Sequence, residues 1–468
     1  MNLISIKSPN ILLCCIAILL LILYAINMGN SNSIATGKLN NGIKWVTIDN
    51  PNVESATVAL YIKVGHQDEN PSTYGMAHYL EHMLFKGTKK RDDEVTTEIE
   101  RDGGRFNGHT EMNYTVYWYT IARNKILKAF DVLSDMYYNS IFKQNEVEKE
   151  KKVVIEELNK RIDEPDIYLF DASLPIIYKG LPQETTEISN IIKNTEEYNR
   201  SSLLRFYKKF YQPHNVVIVY SGRVSDDIIN TMQKFFDKKW HIPKAEIKRT
   251  HIYNDKHPKL YDLPKQIIKK FGKIENYHYN IRKDLNKSYI MISFRTKNNG
   301  IDWGIEDERK YLANILGTIL CGYFSSKIYE KLRKKLALIY SADYDLDLYD
   351  GVGSLNITTH TKVSNQNKVI QYLFDEINKI KNGNLTKKEF DGAINYVVGN
   401  SIISMENNNS KAMFYGKQML IENKIIDIND YLEKIKKLKK NDIIKLAKQL
   451  FVPENTSLLI VTNKIPFS

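Results

Sequence analysis

The chain has 468 residues, a net charge of +12 carried largely by lysine, 43% hydrophobic and 11% aromatic residues. That length exceeds one ordinary core and suits two domains of about 200 residues, and the composition excludes a disordered chain. Three cysteines, Cys14, Cys15 and Cys321, exclude a disulfide framework, and no stretch has the pattern of a helix-turn-helix, an RNA-recognition module or a zinc finger, which argues against nucleic-acid binding.

The first element is Ile11–Ile26, an uninterrupted apolar run of 16 residues. It is expected to be an N-terminal hydrophobic helix that anchors the chain in a membrane, with residues 1–36 as anchor or signal and tether. A small-residue cleavage site at Ser33-Ile34-Ala35 gives the alternative of a secreted protein, and the absence of arginine before Arg91 disfavours a mitochondrial transit peptide. Lys7 biases the short N-terminus toward the cytoplasm. Next, KLNNGIKWVTID reads as a hairpin turning at Asn40-Asn41-Gly42, and residues 55–65 as a strand. A helix over 74–85 and a short one over 94–102, closed by Gly103-Gly104, precede two strands in RFNGHTEMNYTVYWYTIA. Helices are expected at 124–139 and 144–163, a strand at 215–222 and a helix at 226–240. Residues 241–285 are lysine-rich, hold Pro243, Pro258 and Pro264, and read as a linker. A strand at 288–296, a helix over EDERKYLANILGTIL, a strand in GSLNITTHT, helices at 364–382 and 386–405 and a last strand at 457–463 follow. Both halves run strand, helix, strands, helices, apolar strand. The fold class is therefore α+β, as an internal duplication with units at 37–240 and 286–468.

The helix at 74–85 carries GMAHYLEHMLFKGT. His78 and His82 lie one turn apart on one face, with Glu81 beside them. Two imidazoles and a carboxylate suit zinc, and H-x-x-E-H is the inverzincin order. A catalytic zinc needs a third protein ligand and an open position for water. The helix NEVEKEKKVVIEELNKRID offers glutamates. Val147, Val154, Ile155, Leu158 and Ile162 form an apolar stripe with Val153 on its flank, and Glu150 and Glu157 fall within that flank, unlike Glu148 and Glu156. A carboxylate on such a face needs a partner. Ion pairs with Lys151 and Arg161, or a metal, satisfy that need equally, and spacing leaves both open. In the second half, YLANILGTIL takes the place of the metal helix without His or Glu.

These stretches resemble the pitrilysin/insulinase metallopeptidases, most of all the β-type subunit of mitochondrial processing peptidase and short bacterial relatives. The resemblance runs through VGHQDENPSTYGMAHYLEHMLFKGTKK, GGRFNGHTEMNYTVY, EKEKKVVIEEL, FYQPHNVVIVYSGRV and SSKIYEKLRKKLALIYSADY, in order over about 400 residues. It implies two α+β halves facing across a cavity, one Zn²⁺ per chain held by His78, His82 and Glu157, Glu150 as a supporting carboxylate, and Glu81 as general base in hydrolysis of peptides or unfolded protein segments. It also implies that Asn107 contacts the substrate backbone, and that Arg333 and Tyr340 reach the substrate from the second half to steady the carbonyl oxygen. Gly108 stands where relatives often have Ala, and Lys334 where they have Glu. A homo- or heterodimer is a further implication. Two other readings share the pattern: a non-catalytic partner subunit of the same fold, and a membrane-tethered binding module with structural zinc, although no fourth protein ligand is evident for the latter.

Overall fold

The computed structural model describes residues 34–92, 95–240, 271–274, 276–298 and 300–464. Ile11–Ile26 and most of the expected linker lie outside the described residues, and among those described no helix is long and apolar enough to cross a membrane.

The first sheet is built from β1 (Ile34–Lys38), β2 (Lys44–Asp49), β3 (Ser55–Ile62), β4 (Arg105–Thr110), β5 (Thr115–Ala122) and β6 (Val216–Gly222). Its order is β1-β2-β6-β3-β5-β4, with β2 and β6 parallel and every other pair antiparallel. The expected hairpin closes at Gly42, whose φ of +102° suits glycine, with Lys38 opposite Lys44. Ile34 pairs with Ile48 and Ala35 with Thr47. Ile34, Ala35 and Thr36, read as tether end and part of the cleavage site, are thus strand, and cutting after Ala35 would strip two residues from β1.

Helix α1 (Met76–Leu84) precedes β4. Then come Ile126–Asn139, α2 (Gln144–Asp163) and α3 (Pro165–Ile177). The second sheet contains β7 (Asn276–Ile281) and β8 (Lys287–Arg295), and the short pair β9 (Lys297–Asn298) and β10 (Ile301–Asp302) follows. After α4 (Arg309–Cys321) come β11 (Ala342–Tyr349), β12 (Val352–Lys362), α5 (Asn408–Lys417) and the last strand, β13 (Thr456–Thr462). The second sheet's order is β11-β12-β8-β13-β7. Read from β7 it repeats the first sheet from β2: a parallel pair, then three antiparallel neighbours. This is the topological form of the duplication. Two of its strands differ from expectation. Asn276–Ile281 is a ladder strand inside the lysine- and proline-rich stretch, and Ala342–Tyr349 forms the second sheet's edge.

The halves exchange helices. One face of the first sheet packs on its own helices through Val58, Leu60, Leu80, Leu84, Phe130 and Leu133. Its other face, Val46, Ala59, Tyr61 and Val219, is covered by Ala412 and Tyr415 of α5, from the far end of the chain. Reciprocally, Leu169, Leu174 and Ile177 of α3 cover Met291, Leu459 and Val461 of the second sheet. Being covered on both faces explains why β3 and β6 read as continuous apolar runs instead of alternating ones.

Candidate metal centre

Helix α1 starts at Gly75, whose φ of +86° is left-handed. Met76, Ala77, Tyr79, Leu80, Met83 and Leu84 are buried, and the Tyr79 hydroxyl donates to the Val147 carbonyl of α2 at 2.5 Å. This packing turns His78 and His82 toward α2. Their Nε2 atoms are 3.2 Å apart. Glu157 closes the triangle, with Oε1 3.5 Å from His78 Nε2 and Oε2 3.4 Å from His82 Nε2. Each residue offers one ligand atom, all within 4.8 Å of one another. The donor set fits zinc: two imidazole nitrogens, one carboxylate and room for a fourth ligand.

Helix α2 divides its glutamates as the periodicity predicts. Val147, Val154 and Leu158 are buried, whereas Val153 is exposed. The alternative ion pairs do not form. Lys151 bonds Glu148 at 3.0 Å and Arg161 bonds Asp171 at 2.7 Å. Glu150 instead accepts from His82 Nδ1 at 2.9 Å and from Lys86 Nζ at 3.0 Å. Burial alone would raise the Glu150 carboxyl; the bonds from His82 and Lys86 outweigh it and hold the carboxyl below its ordinary range. The bond to Glu150 fixes the His82 tautomer that leaves Nε2 free for a metal. Burial would lower His82, but the carboxylates of Glu150, Glu157 and Glu81 raise it to about 9, and His78 and His82 hold Glu157 well below the usual carboxylate range.

Glu81 is buried beside this triangle. Thr110 of β4 donates to its Oε2 at 2.9 Å. A Cβ on Gly108 would stand 3.0 Å from Glu81 Oε1 and 3.0 Å from the Phe85 ring, so the small residue leaves the carboxylate its room. A cavity of about 900 Å³ opens over these groups. Its lining includes Asn107 on β4, the edge strand, along with His66, Glu69, Lys86, Glu111 and, from the second half, Asp347 and Tyr349.

Arg333 and Tyr340 are not brought there. The Arg333 guanidinium lies over Phe324, Tyr329 and Tyr340, 5.1, 5.7 and 4.8 Å from the ring centroids, and Tyr340 is 71% exposed. The second half reaches the cavity through Asp347 and Tyr349, at the other end of β11 from Tyr340. Neither Arg333 nor Tyr340 is among the residues lining the cavity. Sequence reasoning missed Thr110, Lys86, Glu69 and Asp347. Only Asp347 carried a signal, since Asp343, Asp345 and Asp347 alternate with Tyr344, Leu346 and Leu348 in a period of two.

Residues 44–187 match the family described as insulinase (peptidase family M16), and residues 197–397 match the peptidase M16 inactive domain. The chain belongs to the M16 peptidase family. It is 28% identical over 425 residues to YmxG of Bacillus subtilis, an uncharacterized zinc protease, covering 90% of this chain and 96% of that one. It is 26% identical over 446 residues to the mitochondrial-processing peptidase subunit beta of Saccharomyces cerevisiae, covering 92% and 91%. Among solved structures, a protease from Helicobacter pylori superposes with a TM-score of 0.78 at 18% identity, over 92% of this chain and 99% of that one. M16 homologues are zinc proteases, and the two-part α+β fold is theirs.

Proposed function

We propose that the protein is a zinc-dependent endopeptidase acting on peptides or unfolded protein segments. The observation that carries this reading is the convergence of His78, His82 and Glu157 on one point with Glu81 held alongside by Thr110. One bound zinc supplies Lewis-acid polarisation of the scissile carbonyl and activation of a water. Glu81 takes a proton from the attacking water and passes it to the leaving amine. Glu150 and Lys86 orient His82. The edge strand β4 leaves its outer row of backbone groups for an extended peptide, as strand addition requires, and Asn107 stands on that strand to meet the substrate backbone. Beyond the metal set, Glu100, Glu111, Asp171 and Asp347 line the cavity, against Lys86 and Arg161 among the lysines and arginines. In a chain of net charge +12, this lining favours segments with basic side chains.

The test is the full chain purified with zinc and offered an unfolded peptide. Glu81→Gln keeps the three ligands and removes the base, so it should bind zinc as the parent does and cleave at least about a hundredfold more slowly. A Glu81→Gln chain that cleaves at the parental rate would overturn the mechanism. A homo- or heterodimer belongs to the same reading, as does a membrane tether at Ile11–Ile26. Carbonate extraction decides the tether: full-length protein released to the soluble fraction would exclude it.

A further inference from the structure

The nine-residue helix α1 carries both histidines and Glu81, yet it has no capping side chain of its own, because its N-cap is Gly75. Short helices are marginal by themselves, and their first amides lack intrahelical partners. Glu69 supplies what is missing. Its Oε2 accepts from the Gly75 amide at 2.9 Å and its Oε1 from the Ala77 amide at 2.8 Å. The side chain is only 2% exposed. The amides it holds are those of the N-cap and of the residue just before His78, and its negative charge faces the positive end of the helix.

Glu69 is itself anchored. The His66 amide donates to Glu111 O at 3.1 Å and the Gln67 amide to Met112 O at 2.8 Å, which ties the segment before Glu69 to the β4–β5 connection. The same hairpin supplies Thr110, the donor to Glu81. One rigid hairpin thus fixes α1 at two points: its first turn through Glu69, and its Glu81 carboxylate through Thr110. The alternative anchor, a cap at position 75, is closed off. Besides the strained φ, a Cβ there would stand 2.5 Å from Ile191 Cγ2.

We infer that Glu69 is a positioning residue of the metal centre. Its carboxylate sets the register and orientation of His78 relative to Glu157 from the far end of the loop. The inference rests on the zinc-peptidase reading for its meaning, but its test does not depend on activity alone. Full-length Glu69→Ala and Glu69→Gln are compared with the parent in three measurements: amide hydrogen exchange across residues 75–80 in the presence of chelator, the zinc dissociation constant by chelator competition, and kcat and KM on one peptide. Glu69→Ala should raise the zinc dissociation constant by about tenfold or more and accelerate exchange in the first turn of α1. It should lower kcat and leave KM within about twofold, since the Glu69 side chain, although part of the cavity lining, is only 2% exposed and both its oxygens are taken by backbone amides. Glu69→Gln, which keeps the size and one acceptor oxygen, should recover part of each effect. A general loss of stability would not produce that split. Unchanged exchange and unchanged zinc affinity in a folded Glu69→Ala chain overturn the inference; should that chain not fold, the same result in Glu69→Gln overturns it. A parent that shows a protected α1 but binds no zinc defeats the peptidase reading and leaves the capping role standing.

Discussion

Glu150 and Glu157 lie seven residues apart on α2, yet their surroundings give them different work. Glu157 faces both histidine Nε2 atoms, whereas Glu150 touches His82 only through Nδ1 and shares its charge with Lys86. Glu157→Gln should therefore abolish tight zinc binding. Glu150→Gln should weaken it by about 10–100-fold, because Gln keeps one acceptor for His82 but turns an amide against Lys86; chelator competition measures both. Periodicity placed this pair on one flank, and the resemblance assigned Glu157 as ligand and Glu150 as support. Glu69 and Thr110 were illegible because their partners are set by how distant segments pack. For Arg333 and Tyr340 a shared motif predicted a role, and neither lines the cavity. Asp347 gives a pH signature. Burial, then the neighbouring Asp345, pushes its carboxyl up to about 7. A carboxyl raised in the folded state contributes most below its unfolded pKa, near 3.8, and loses that contribution as pH rises to about 7. Asp347→Asn cannot ionise. Its stability relative to the parent should thus improve by about 1–3 kcal/mol between pH 4 and pH 8, measured by denaturant unfolding at each pH. A constant offset across that range would show that Asp347 ionises freely in the folded chain.

Helix α5 shows how an element can be out of reach of local reasoning. Asn408–Lys417 has no strong amphipathic pattern, because it lies between the first sheet and its own half. What seats it is a close approach. A Cβ on Gly416 would come within 2.3 Å of Tyr61 Cε2, and the Tyr61 ring is buried, with its hydroxyl donating to Met413 O at 3.1 Å. Tyr61 is held at both ends and has nowhere to go. Gly416→Ala should cost about 1–3 kcal/mol from overpacking. Gly399, in the helix Lys387–Ser404, is the contrast: a Cβ there meets nothing within 4 Å, so Gly399→Ala should stabilise by up to about 1 kcal/mol through helix propensity. Thermal unfolding of the two variants should move in opposite directions. The missed strands have their own reasons. Asn276–Ile281 is short and gains its place from parallel pairing with β13, a long-range contact that no local pattern announces. Ala342–Tyr349 did alternate, and Asp347 on its acidic face lines the cavity.

At the scale of the whole molecule, the exchange of α3 and α5 makes each half part of the other's core. The sequence implied two units joined by a linker, and such units can melt separately when only a modest interface joins them. Here the first sheet loses the cover of Val46, Ala59 and Val219 if α5 leaves, and the second loses that of Met291 and Val461 if α3 leaves. Neither half can unfold without stripping an apolar layer from its neighbour, so the two should unfold together. The tryptophans can report this. Trp118 packs against the layer beneath α5, and Trp303 is buried in the core of the second half. Two full-length chains, each retaining only one of these tryptophans with the remaining ones replaced by Phe, should show fluorescence transitions in guanidinium whose midpoints coincide once each chain's own stability is matched by circular dichroism. Asn408 tests the cause. It receives a hydrogen bond from Asn50 at 2.8 Å and donates to Ser55 O at 2.8 Å, locking the start of α5 onto the first sheet. Asn408→Ala should lower both midpoints together. A Trp118 transition that falls ahead of an unmoved Trp303 transition would show that the halves are separable after all, with α5 a surface graft instead of a shared layer of core.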